Sequence, residues 1–156
     1  HPKLGGCLGY RQMNPAGTPE AKARLAADLS DQRVTAIVSL DLGLSRGFTD
    51  ASLATLPVPV LVIAGGVPSE DMDPQLESAN MVKRLPKATT QYMEIADATH
   101  FSFMSICKPG AVALIEADSP DDGMICQDGN GARPRSVIQQ QVVDLIGAFL
   151  QRSFRN

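Results

Sequence analysis

Apolar residues in this chain come in short runs separated by longer stretches with helical spacing. The run "RVTAIVSLDLG" is β-branched and closes on Asp41, so it predicts a buried strand from Val34 to Leu40. "LPVPVLVIAGG" predicts a second strand, Val58 to Ala64, stopped by Gly65-Gly66. "TTQYMEIAD" predicts a third, less apolar and so nearer the sheet edge. Continuous apolar strands of this kind fit a parallel sheet covered on both faces. "EAKARLAADL" is rich in good helix formers, with Thr18 as N-cap and Pro19 in the first turn. "SRGFTDASLATLP" leaves room for a loop and a short helix, and "DPQLESANMVKRLP" predicts a helix ended by Pro86. "GAVALIEAD" predicts another short helix. In "SVIQQQVVDLIGAFLQRSF" the residues Val137, Ile138, Val142, Ile146, Phe149 and Leu150 recur at helical spacing behind Ser136 as N-cap. Residues 1–17, rich in Gly and Pro, show no period and are expected to be irregular. Strands alternating with helices imply an α/β fold with right-handed crossovers and a doubly wound, mostly parallel sheet.

The 156 residues are enough for one domain with a core, and 44% hydrophobic with 20% charged is ordinary for a globular chain. A net charge of −3 with scattered basic residues argues against a nucleic-acid partner. No apolar run approaches the roughly 20 residues of a membrane span. The chain opens His-Pro-Lys rather than on methionine, which is expected of a trimmed or processed product or of a fragment. Its three cysteines, Cys7, Cys107 and Cys126, match no zinc spacing. Cys107 and Cys126 flank one polar, loop-rich segment. A bridge between them would contribute about 3 kcal/mol in the chain-entropy account and would leave Cys7 unpaired or bonded to another chain. The alternative is three reduced thiols in a cytosolic protein.

Chemistry is concentrated at the predicted strand ends. Ligands of doubly wound sheets sit outside the carboxyl ends of the strands, and Asp41, the acidic turn after Gly66 and His100 all fall there. His100 is the only histidine besides residue 1, and so the candidate for acid–base work near neutral pH. Phe101 and Phe103 would flank it as an apolar wall or serve the core. Asp71 and Asp73 would otherwise be acids at a helix N-terminus, favoured there by the dipole. The triplet Asp71-Met72-Asp73 has no further ligand cluster to make a metal site.

An aspartate after one strand and a histidine after a later one form the back half of a Ser…Asp…His triad in α/β-hydrolase order. "RVTAIVSLDLGLSRGFT", "VPVLVIAGG" and "KRLPKATTQYMEIADATHFSFM", with the cysteine-containing tail, resemble the C-terminal half of dienelactone-hydrolase-like serine esterases. The branch is that related to platelet-activating-factor acetylhydrolases and chlorophyllases, over roughly residues 30 to 150. The resemblance implies the C-terminal half of an α/β-hydrolase domain, with His100 as catalytic base. It leaves the acid open between Asp41, which the acetylhydrolase-like branch selects, and Asp71 in the turn "GGVPSEDMDP". The residue before His100 is Thr99, where the family often has glycine.

The nucleophile elbow Gly-x-Ser-x-Gly of such hydrolases is absent from the sequence, and in "HPKLGG" Lys3 stands where a nucleophile would be sought. The expectation is therefore a half enzyme. Its serine and oxyanion hole would lie on a partner, the N-terminal half of the same hydrolase, with Cys7 available as a tether. It would act on carboxylic esters or amides without metal or organic cofactor, in the periplasm or outside the cell. Two other readings compete. One is a non-catalytic binding or regulatory module. The other is a cysteine enzyme using Cys7 or Cys107 with His100.

Overall fold

The computed structural model describes residues 5–28, 30–69, 72–129 and 131–154. The chain divides into two compact units, His1–Thr35 and Ala36–Asn156. In the first, helix α1 (Gly5–Met13) occupies part of the segment expected to be irregular. It forms despite the backbone-entropy cost of its glycines, and Leu8, Tyr10 and Met13 stay exposed. Helix α2 (Pro19–Leu25) starts as the sequence predicts: Thr18 Oγ1 accepts from the Ala21 amide at 3.1 Å, and proline occupies the first turn.

The second unit is mixed α/β around a three-stranded, all-parallel open sheet: β1 (Ile37–Leu40), β2 (Val60–Gly65) and β3 (Thr90–Ile95), in that spatial order. The strands lie where the apolar runs predict, with later starts set by backbone chemistry. Pro59 has no N–H, so the first β2 amide to join β3 is that of Val60, which donates to Thr89 O at 2.9 Å. Pro59 does offer its carbonyl to Ile37, and there β1 begins. Val34 stays exposed and outside the ladder.

Central strand β2 is buried throughout, and its side chains alternate between two cores. Leu61 and Ile63 meet Ile95, Ala98 and the apolar stripe of helix α6 (Arg135–Ser153), namely Ile138, Val142 and Phe149. Val60 and Val62 meet Leu53 of helix α3 (Asp50–Ala54), Met81 of helix α4 (Ser78–Val82) and Leu85. Helices thus cover both faces, as the continuous apolar run of β2 implies.

Two helices differ from the sequence expectation. The run from Asp73 to Leu85 turns helically but breaks at Glu77: Glu77 N donates to Asp73 O, whereas Ala79 N reaches back five residues to Pro74 O. The break sends the Glu77 carboxylate, 1% exposed, beneath the loop after β1, where Ser45 and Arg46 donate to it. At α6 the cap is Pro134, and Ser136 is the second helical residue rather than the N-cap. Helix α5 (Ala111–Asp118) forms as predicted, with no buried residue.

Candidate functional site

Asp41 follows β1 and is 4% exposed. Its amide still donates to Ile63 O at 2.7 Å, so the backbone extends the ladder by one bond before it turns. The turn places Asp41 at φ +44°, the left-handed region that aspartate tolerates better than most residues. Strand β2 outruns β1 by two residues, because Leu40 is opposite Ile63 and β2 continues to Gly65. The Gly65 amide therefore faces no strand on that side. Asp41 Oδ1 accepts from it at 3.0 Å, so a backbone donor at the sheet's end fixes the carboxylate.

His100 follows β3 on a short 3₁₀ turn, His100–Phe103. That turn rests against the end of β2. Val67 N donates to Ala98 O at 3.0 Å, and a Cβ on Gly65 would lie 2.8 Å from the same oxygen. A Cβ on Gly66 would lie 2.6 Å from Ala96 Cα. The paired glycines that read as a strand stop thus also admit the segment that delivers the histidine. Thr99, with φ −90°, precedes it without glycine geometry, and the Thr99 amide donates to Ser102 Oγ at 3.0 Å.

The two strand ends bring Asp41 Oδ2 within 2.9 Å of His100 Nδ1. A carboxylate oxygen only accepts, so the proton of that bond sits on Nδ1, and in the neutral imidazole Nε2 presents its lone pair. Nε2 makes no hydrogen bond to a described residue, and the histidine side chain is 37% exposed. It borders a cavity of about 190 Å³ whose wall includes Val67, Phe101, Met124, Gln127 and Asp128. Phe101 meets the imidazole edge-to-face at 5.7 Å. Phe103 packs against the core between the sheet and α6.

The structure thus brings Asp41 and His100 together, across 59 positions of sequence. Asp71 lies outside the described residues. Asp73 Oδ1 accepts from the Gln75 amide at 2.8 Å and caps the turn that leads to α4. Cys107 and Cys126 form the expected disulfide, with Cα atoms 5.6 Å apart. Cys107 consequently has no free thiol, which removes it as a nucleophile for His100. The Cys7 side chain lies outside the described residues, as does Lys3.

The sequence reading missed the polar framework behind the histidine. Ser102 is fully buried and donates to Asp128 Oδ1 at 3.3 Å, and Arg135 Nε donates to the same oxygen at 2.9 Å. On the outer side, Arg133 grips both oxygens of Asp97, at 2.8 and 2.7 Å, and holds that carboxyl well below the usual carboxylate range. Tyr92 of β3 has a phenol pushed above its ordinary value by burial and by its bond to Glu94. Among the described residues no helix is long and apolar enough to cross a membrane. No family model, curated protein or solved structure matches the chain.

Proposed function

We propose that this chain supplies the base and the acid of a serine hydrolase that cleaves carboxylic esters, with His100 as general base and Asp41 as the carboxylate that orients it. The observation that carries this reading is the 2.9 Å contact between His100 Nδ1 and Asp41 Oδ2 at the ends of two parallel strands, with Nε2 bonded to no described residue and His100 bordering a cavity. A base needs one nitrogen held and the other free. The held nitrogen fixes the tautomer, and the carboxylate stabilises the imidazolium that forms when Nε2 takes a serine proton. The same Nε2–H then returns the proton to the leaving alkoxide, and a water repeats the cycle on the acyl-enzyme.

Among the described residues no serine hydroxyl bonds to His100, and Ser102, two residues on, is committed to Thr99 and Asp128. The reading therefore places the nucleophile and oxyanion hole on a partner, an N-terminal half of the hydrolase for which Cys7 is a candidate tether. The disulfide supports a periplasmic or extracellular setting, since such bonds persist where thiols are not kept reduced.

The test is fluorophosphonate labelling of the natively purified protein, followed by intact-mass analysis of every chain present. The expected result is one adduct on a serine outside this chain. Labelling should fall by about 10³-fold or more in both His100→Ala and Asp41→Asn, the order seen when a triad member is lost. A co-purifying second chain that stays unlabelled, or labelling that survives His100→Ala, would overturn the reading and leave a non-catalytic module.

A further inference from the structure

A buried arginine and the disulfide have no part in that chemistry. Arg135 opens α6 and is 5% exposed. Besides the bond to Asp128, its terminal nitrogens reach the carbonyl oxygens of Ser105 at 3.2 Å, Ile125 at 3.0 Å and Gln127 at 3.1 Å. Ser105 lies just before Cys107, and Ile125 and Gln127 flank Cys126. One guanidinium therefore holds both ends of the segment that the disulfide closes. Through Asp128 and Ser102 it also reaches the turn that carries His100.

Between those ends little else restrains the chain. Helix α5 buries no residue, Leu114 is 76% exposed, and Gly123 alone within the segment is buried. The Glu116 carboxylate ties the segment to itself by accepting from the amides of Asp121 and Gly123. Yet Met124 in this segment, and Gln127 and Asp128 just beyond it, form one side of the His100 cavity.

We propose that Arg135 is a positioning residue that seats the disulfide-closed segment as a wall of the His100 cavity, and that the guanidinium and the disulfide are redundant restraints on the same two ends. Reduction by a dithiol breaks the S–S bond with two electrons and two protons, leaving Cys107 and Cys126 as thiols while the reductant closes to its own disulfide. With Arg135 present that reaction leaves the wall seated. Without Arg135 it releases the wall and uncovers the imidazole. The inference holds whether or not a nucleophile ever joins His100, because it concerns access to the ring.

The experiment follows the rate at which diethyl pyrocarbonate modifies His100, read by peptide mass, in the full chain with the disulfide intact or reduced by dithiothreitol. The rate reports how far the ring is uncovered beyond the 37% exposure it has with the wall seated. Reduction is expected to change it less than about twofold in the unsubstituted protein and about tenfold or more in Arg135→Gln. Arg135→Lys keeps the charge beside Asp128 but not the fork, so reduction should accelerate modification about threefold. Should Arg135→Gln not fold, Arg135→Lys decides the matter alone. Two results overturn the proposal: a folded variant whose His100 rate ignores reduction, which makes Arg135 merely structural, or an unsubstituted protein whose His100 is fully uncovered by reduction, which removes the redundancy.

Discussion

Two regions border the His100 imidazole, and they are held by different forces. On one side are the ends of β1, β2 and β3, where Asp41, Gly65 and the 96–99 turn lie against one another. On the other is the segment from Met104 to Asp128. In the sheet, every residue of β2 is buried and each face meets its own apolar core. Hydrophobic burial and the hydrogen-bonded ladder supply the stability, and the carboxylate is positioned by a backbone amide. The outer segment buries almost none of its side chains and relies on a disulfide, one guanidinium and single bonds from Gln139 to Met104 O and from Ser102 to Asp128. Burial spreads stability over many small contacts, so it tolerates the loss of a polar bond and suffers from a cavity or a clash. Cross-linking concentrates it at two ends, so the outer segment should ignore side-chain truncation and come loose only when the disulfide and the guanidinium are both lost.

The comparison breaks most sharply at the site itself. Asp41→Asn should keep the fold, since an amide oxygen still accepts from Gly65, but its NH₂ favours the wrong imidazole tautomer. If the proposed function holds, fluorophosphonate labelling of the natively purified protein would fall about 10³- to 10⁴-fold with unfolding unchanged within ~1 kcal/mol.

Next come the sheet's own contacts. Phe149→Ala should cost about 3–5 kcal/mol in urea unfolding, because Phe149 is 1% exposed against β2. Gly66→Ala should cost about 3 kcal/mol, since its new Cβ meets backbone rather than a side chain that can move. The counterpart in the outer segment is Leu114→Ala, which should stay within about 0.5 kcal/mol. A loss comparable to that of Phe149→Ala would mean the outer segment is held by burial after all.

Removing the disulfide as the pair Cys107→Ser and Cys126→Ser should cost about 3 kcal/mol in the same unfolding experiment, the entropy of a loop with a sequence separation of 19. Amide hydrogen exchange should accelerate across α5 first and leave β2 protected.

The smallest effect is a titration. Asp97 is held low by Arg133, so their bond contributes stability that is present above the ordinary carboxylate pKa and lost as pH falls through the depressed folded value. In Arg133→Gln the Asp97 carboxyl, followed by NMR, should rise toward the ordinary value, and the acid-side stability loss assigned to this group should shrink, since the guanidinium is the largest cause of the shift. A carboxyl that stayed low would trace the shift to the backbone amide of residue 133, which also donates to it.

The alternation of apolar runs and helical stretches was enough to determine an α/β chain with three strands in order, because burial on two faces demands continuous apolar strands. It also placed Asp41 and His100 at strand ends, while the cysteine spacing left a Cys107–Cys126 bridge open against three reduced thiols until the structure joined them. Periodicity carries no information about hydrogen bonds between distant residues. Nothing in "SLDLG" says that a left-handed turn lets one carboxylate meet both Gly65 and His100. Nothing in "GARPRSV" separates a buried Arg135 from an Arg133 on the surface, though they stand two positions apart. Nor does "DPQLESANMV" show that its helix breaks to bury Glu77. Local propensity and hydrophobic pattern act over a few residues and can be read from the chain. The meeting of Asp41 with His100, and of Arg135 with both ends of the disulfide loop, depends on which strands neighbour and where the ladder runs out, and that is settled only when the sheet has assembled.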